Sequence, residues 1–207
     1  MAAGIGHEIR NPITAIKGFI QLLKEDPCNL DYHDVILNEF DRIDKIISEF
    51  MILSKSQAHH ISQEDISTIM KNTITFMAPQ AKLKNVSLRI LIEENLPNVL
   101  CEKNQLKQVF INLIKNGIEC MESGGNLWVK VARGNTDSVS ITIKDEGCGI
   151  SPEIIERLGE PFYTTKSKGT GLGLMVSYRI IQNHKGTIKV ESELGEGTTF
   201  MIKLPTN

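Results

Sequence analysis

Seven residues into the chain a histidine opens the string His7-Glu8-Ile9-Arg10-Asn11-Pro12. A neutral imidazole offers one lone pair near physiological pH and can act as a nucleophile or a proton carrier. The carboxylate beside it, Glu8, can fix its tautomer and take up a proton. Four further strings carry polar or glycine-rich chemistry: Asn112-Leu113-Ile114-Lys115-Asn116, Asp145-Glu146-Gly147-Cys148-Gly149, Pro161-Phe162-Tyr163-Thr164-Thr165-Lys166 and Gly169-Thr170-Gly171-Leu172-Gly173-Leu174.

Each string has an ordinary reading beside the chemical one. Asn112 and Asn116 are four apart and share a helix face. Two neutral oxygen donors there can orient a magnesium ion already neutralised by phosphates, or they are simply solvated asparagines. Asp145 follows the alternating Val139, Ile141 and Ile143. An ionised aspartate at a strand end can accept from an amino group such as that of adenine, and Gly147 and Gly149 let the backbone turn away for a planar ligand. An Asp-Gly turn is the plain alternative. The Gly169 to Leu174 string lacks the strand that should feed a dinucleotide fingerprint, yet glycines opening a helix leave N–H groups that suit a phosphate. Lys166 or Lys168 adds charge, and no Walker sequence is present. A flexible loop before a helix reads equally well.

The elements that must position these residues fall into two groups. In the first, Ile9, Ile13, Ile16, Ile20 and Leu23 alternate steps of four and three, which predicts an amphipathic helix with His7 off its apolar stripe. Pro12 cannot donate to the carbonyl of Glu8, so it loosens the helix beside His7. Asp26-Pro27-Cys28-Asn29 is a turn, and Ile36, Phe40, Ile43, Ile47 and Phe50 line a second helix. Phe19, Leu22, Leu37 and Leu53 widen the stripe, so the hairpin must bury more than its own two faces. A homodimeric four-helix bundle does so; packing on the chain's own C-terminal part is the alternative. Gln57 to Ile61 is a linker.

The second group starts at Ser62, read as an N-cap with Asp65 three residues on, before a helix carrying Ile66, Ile69, Met70, Ile74 and Met77. Strands follow at Val86 to Ile92, around Val99-Leu100, at Trp128 to Ala132 and at Val139 to Lys144, with a long helix from about Lys103 to Met121 between them. A helix near Ile154 to Leu158, another from Leu172 to Asn183 closed by Gly186, and a hairpin of Thr187–Glu193 with Thr199–Leu204 complete an α/β sandwich.

Composition narrows the partners. With 23 Lys and Arg against 25 Asp and Glu, the net charge is −2 and no basic face dominates, which argues against nucleic acid. Cys28, Cys101, Cys120 and Cys148 are widely spaced, which predicts free thiols in a reducing cytosol. No apolar run approaches the roughly 20 residues of a membrane span, and no signal peptide is present. The helix begins almost at Met1 without a capping lead-in, so the chain is expected to be a cytoplasmic piece of a longer protein whose sensing or membrane-anchoring region lies upstream. His33 reads as solvated, His59 and His60 as linker residues without metal-ligand partners, and His184 as a residue that caps a helix C-terminus or offsets its dipole. Cys148 reads as a small filler.

Taken together and in this order, the histidine string and the four later motifs resemble the transmitter core of a sensor histidine kinase. They look like that family's H, N, G1, F and G2 boxes, and Gly195-Glu196-Gly197-Thr198-Thr199-Phe200 looks like its last glycine box. Within the family, the His7 string followed by Ile13-Thr14-Ala15-Ile16-Lys17-Gly18-Phe19 resembles the Bacillus sporulation kinases. The resemblance implies an α+β multidomain chain. Residues 1–57 would form a dimerisation and histidine phosphotransfer hairpin, 58–63 a linker, and 64–207 an ATP-binding sandwich of the gyrase, Hsp90, histidine kinase and MutL type.

It also implies roles. ATP binds under a lid of roughly residues 151–170, Asp145 holds the adenine amino group, and Asn116 ligates Mg2+. Asn112, Lys115, Lys166, Gly169 and the amides of Gly171, Leu172 and Gly173 serve the phosphates, with Gly147, Gly149 and Thr199 lining the nucleotide site. His7 accepts the γ-phosphoryl group, Glu8 assists, and Asn11 is placed to orient water for a reverse phosphatase reaction. A response regulator receives the phosphoryl group, and a small inhibitor protein on the bundle is a further partner that these residues do not by themselves support. Two rivals stand beside this reading. A gyrase-like ATPase places a glutamate base where this chain has Asn112, which cannot take a proton. A non-catalytic scaffold would tolerate loss of His7, Asn116 or the lid glycines, and all are present.

Overall fold

The computed structural model describes residues 2–27, 29–54, 60–135, 137–164 and 170–206; side chains at 2–5, 7, 8, 45 and 49–54 fall outside that description. The chain divides into two units, one of residues 1–55 with 160–173 and one of 56–159 with 174–207.

In the first unit α1 (Ala2–Glu25) and α2 (Leu30–Ser54) form the expected helical hairpin. α1 runs unbroken through Pro12. The turn is built by Asn29, whose Oδ1 accepts from Asp31 N at 3.1 Å and caps α2, while its Nδ2 donates to Asp26 Oδ2 at 3.1 Å. Phe19 and Tyr32 meet across the hairpin in a tilted contact, ring centroids 5.6 Å apart and planes inclined at 51°. Ile16 and Ile46 are buried, whereas Ile13, Ile20, Leu37, Phe40 and Ile47 remain exposed on the single chain.

The second unit is a mixed five-stranded sheet of order β2-β4-β5-β7-β6, with β2 (Val86–Ile92) and β6 (Thr187–Glu193) at its edges. β4 (Gly125–Arg133), β5 (Ser138–Asp145) and β7 (Gly197–Pro205) make up the centre. β2 and β4 run parallel, so a crossover is required. The helix α4 (Lys103–Glu119) supplies it. Leu127, Val129 and Val131 on β4, Val139, Ile141 and Ile143 on β5, and Phe200, Ile202 and Leu204 on β7 point to one buried face. There they meet Ile69, Met70 and Met77 of α3 (Ile66–Leu83) and Leu106, Val109, Phe110 and Leu113 of α4. α6 (Gly173–Asn183) adds Val176, Ile180 and Ile181. Among the described residues, no helix is long and apolar enough to cross a membrane.

Three local expectations change. Ser62 is not an N-cap: Ser62–Glu64 is a strand, β1, paired antiparallel with β3 (Val99–Cys101). The cap is Asp65, whose carboxylate accepts from Ser67 N at 2.8 Å and from Thr68 N at 3.2 Å. The helix read at Ile154 to Leu158 is the short α5, Pro152–Ile155. Arg157 and Leu158 then bond back to Ile154 and Ile155, three residues earlier, and this tightened turn ends at Gly159 with φ +90°. After α6 the left-handed residue is Lys185, φ 56°, and Gly186 follows it, donating to Ile181 O at 2.9 Å.

Candidate functional site

The site grows from the end of β5. Strand alternation turns Ile141, Ile143 and Asp145 to the buried side, which leaves Asp145 only 4% exposed. A buried carboxylate needs partners. Its Oδ1 accepts from Gly147 N at 2.9 Å and from Thr198 N at 3.1 Å.

α4 passes this carboxylate at Gly117. A Cβ there would stand 2.6 Å from Leu127 Cδ1, 3.2 Å from Asp145 Cβ and 3.4 Å from Asp145 Oδ2, so a bare Cα is what lets helix and strand approach. Asn116 directly precedes it on the helix. One turn earlier, Asn112 donates from Nδ2 to Ser177 Oγ of α6 at 2.9 Å, and Ser177 is itself buried. The end of β5 and one stretch of α4 thus bring Asp145, Asn112 and Asn116 into one neighbourhood. Lys115 pairs with Glu119 at 3.7 Å. Such a half-exposed pair is worth about 1 kcal/mol or less and readily gives way to another anion.

The loop after Asp145 uses its glycines differently from the expectation. A Cβ at Gly147 would meet Cys120 Cβ at 2.7 Å, and one at Gly149 (φ +70°) would lie 2.0 Å from Glu193 O. Protein backbone and a cysteine occupy the space that these glycines leave. Cys148 between them is exposed.

Thr199 requires a correction. It pairs with Lys144 and Glu191 on the sheet face opposite Asp145, because Phe200, Ile202 and Leu204 fix even-numbered positions of β7 to the core. The residue beside Asp145 is Thr198, 6% exposed. That parity was available in the apolar alternation of β7 and marks Thr198, which the sequence reading missed.

In the other unit, Gly171 has φ +67° and a Cβ there would stand 2.4 Å from the carbonyl carbon of Phe162, so two loop backbones lie in contact. Leu172 is buried, and its N–H reaches Thr170 Oγ1 at 3.4 Å; Gly173 opens α6. Lys166 and Gly169 lie outside the described residues, as do the side chains of His7 and Glu8 on α1. Asn11 is exposed on the same helix, one turn after His7.

His184 caps the end of α6 and also reaches a second segment. Its Nδ1 lies 2.8 Å from Ile180 O, and its Nε2 accepts from Glu102 N at 2.9 Å. The ring donates at one nitrogen and accepts at the other, the neutral tautomer.

The donor set of the second unit is a carboxylate acceptor, two amide side chains and an amine. It suits an amino-bearing base and an anion accompanied by a cation. Among the described residues no group of three or more His, Cys, Asp or Glu side chains could hold a metal ion. A magnesium ion here would therefore depend on phosphate oxygens and water for most of its ligands.

Comparison with known proteins adds a family. Residues 1–59 match the His Kinase A (phospho-acceptor) domain, and residues 101–207 match the Histidine kinase-, DNA gyrase B-, and HSP90-like ATPase family. The chain is 53% identical to Sporulation kinase E of Bacillus subtilis, over 99% of this chain and 28% of that protein. It is 44% identical to Sporulation kinase C of the same organism, over 99% of this chain and 48% of that protein. The chain thus spans less than half the length of these relatives. Among solved structures, histidine kinase ThkA in complex with response regulator protein TrrA aligns with a TM-score of 0.83 at 28% identity, over 100% of this chain and 61% of that one. Acinetobacter baumannii histidine kinase AdeS shares the fold, with a TM-score of 0.82 at 24% identity over 97% of this chain and 98% of that one.

Proposed function

The chain belongs to the sensor histidine kinases, and we propose that it transfers the γ-phosphoryl group of ATP to His7 and passes it on to an aspartate of a response regulator. The observation that carries the nucleotide half is Asp145, a buried carboxylate with one oxygen held by two backbone N–H groups, beside the helix bearing Asn112 and Asn116. In this reading Asp145 accepts from the adenine amino group and Asn116 supplies an oxygen to Mg2+. Asn112 and Lys115 attend the phosphates, with the amides of Gly171, Leu172 and Gly173. Magnesium, when bound, neutralises phosphate charge during transfer.

The protein's own work is positioning and proton handling. His7 attacks with the Nε2 lone pair; the N–P bond forms as the bond from the γ-phosphorus to the bridging oxygen breaks, and ADP leaves with that electron pair. Glu8 accepts from Nδ1–H, which fixes the tautomer, and takes the proton as the ring gains charge. The resulting phosphoramidate is reactive enough to pass its phosphoryl group to a carboxylate. Asn11, one helical turn after His7, orients water in a reverse, phosphatase reaction.

Residues 1–57 act as the dimerisation and phosphotransfer domain and 64–207 as the ATP-binding domain, joined through 58–63. The exposed apolar residues of the hairpin support a homodimeric bundle, on which the response regulator docks. Similarity to the sporulation kinases supports a place in a sporulation-type phosphorelay.

The test is incubation with γ-labelled ATP and magnesium, comparing the wild type with His7→Gln. Acid-labile, alkali-stable label on the wild type alone is expected. Label on both proteins would move the acceptor elsewhere, and free phosphate without protein label would favour an ATPase.

A further inference from the structure

One hydroxyl ties together the backbone segments around Asp145. Ser192 Oγ, on edge strand β6, accepts from Ile150 N at 2.8 Å and donates to Gly197 O at 2.7 Å. It also lies 2.9 Å from Thr198 Oγ1. A serine hydroxyl has one proton and two lone pairs. Its proton goes to Gly197 O, so the Thr198 hydroxyl is the donor in the third contact and all three capacities are used.

The segments it joins are those that set the carboxylate. Ile150 closes the loop that begins at Asp145. Gly197 and Thr198 open β7, and Thr198 N donates to Asp145 Oδ1 at 3.1 Å. Their backbones touch without side chains between them: a Cβ on Gly197 would lie 2.1 Å from Asp145 O, and Gly195 N donates to Cys148 O at 2.9 Å. Remove the Ser192 hydroxyl, and Ile150 N–H, Gly197 C=O and the Thr198 hydroxyl each lose a partner. The start of β7 can then shift against the loop, carrying the Thr198 N–H that orients Asp145.

We infer that Ser192 is a positioning residue for Asp145, holding the first residues of β7 so that the carboxylate is aimed at the amino group of the bound base. The inference rests on the reading that Asp145 receives the adenine amino group. It predicts an effect on discrimination between bases rather than on nucleotide binding in general. Inosine triphosphate carries a carbonyl where adenine carries the amino group, so a well-aimed carboxylate accepts from one and repels the other.

The test measures binding of ATP and of inosine triphosphate by calorimetry, in a His7→Gln background that prevents turnover. The parent should prefer ATP. Ser192→Ala should cut that preference about tenfold, mainly through weaker ATP binding, and Ser192→Thr should restore most of it. Should Ser192→Ala not fold, Thr198→Val removes the neighbouring hydroxyl while keeping the N–H, and a loss of about threefold in preference is expected. Equal weakening of both nucleotides, or an unchanged preference, would overturn the inference. Asp145→Asn separates the two levels. If it abolishes a preference that Ser192→Ala leaves intact, only the role of Ser192 falls. A parent with no preference for ATP would remove the reading of Asp145 and this inference with it.

Discussion

His184 Nε2 accepts a hydrogen bond from Glu102 N at 2.9 Å, joining residues 82 apart in the chain. The bond fastens the segment after α6 to the residue that caps α4, for Glu102 also accepts from Asn104 N and Gln105 N through its carboxylate. His184→Ala strands a part-buried N–H and leaves Ile180 O without the ring donor. A loss of about 1–3 kcal/mol is expected in urea unfolding of the second unit. A loss within about 0.5 kcal/mol, the range of ordinary surface changes, would show that water replaces the ring at no cost.

Asp65 is held below its ordinary value of 3.8, first by the Thr68 hydroxyl and then by the backbone N–H groups of α3, with its slight burial opposing them. A depressed folded value means that the stabilisation is complete above the unfolded value and is lost as pH falls through the folded one. Asp65→Ala should therefore cost about 1 kcal/mol at neutral pH, and the gap between variant and wild type should narrow on acidification below about pH 4. Denaturant midpoints at several pH values read this directly; a gap that widens in acid would contradict the cap.

Replacing a helical glycine by alanine normally stabilises by about 1 kcal/mol. At Gly117 the opposite is expected, because the new Cβ would stand 2.6 Å from buried Leu127 Cδ1 and 3.2 Å from Asp145 Cβ. Gly117→Ala should lower the melting temperature and weaken ATP binding severalfold. A rise in stability would mean that Leu127 repacks freely.

Burial pushes the Cys101 thiol up to about 12, with the carboxylates of Glu64 and Glu102 adding to the effect. Only the thiolate is a good nucleophile. Iodoacetamide at about pH 8 should modify exposed Cys148 in the folded protein and spare Cys101, as read by peptide mass spectrometry. Comparable labelling of both would show that the strand carrying Cys101 opens readily.

The hairpin leaves Leu37 62% and Phe40 52% exposed on the single chain. Sedimentation should find a dimer, and Leu37→Asp with Phe40→Glu should dissociate it. A wild-type chain that sediments as a monomer would leave these residues to another partner.

The alternation in β5 and β7 and the four-three stripes of both hairpin helices were legible because they rest on neighbours in sequence. What escaped depends on distant pairing. Ser62 looks like a cap until Val99–Cys101 draws it into a strand. The Nε2 partner of His184 has no local signature. Thr199 sits on the sheet face opposite Asp145, and the apolar alternation of Phe200, Ile202 and Leu204 already carries that parity. The glycines of the Asp145 loop are read from sequence as admitting a ligand; in the fold Gly149 also admits the β6–β7 turn, and Gly147 admits Cys120 at the end of α4.

The two edges of the sheet are guarded unequally. β6 turns exposed Lys189, Glu191 and Glu193 outward at alternate positions, and charged side chains on an edge discourage a second chain from adding a strand. β2 ends Arg89-Ile90-Leu91-Ile92, with Ile90 47% and Leu91 63% exposed and only Arg89 as a deterrent. At high concentration this margin is open to strand-by-strand self-association. A lysine placed at Leu91 would act as a gatekeeper there without touching the nucleotide site.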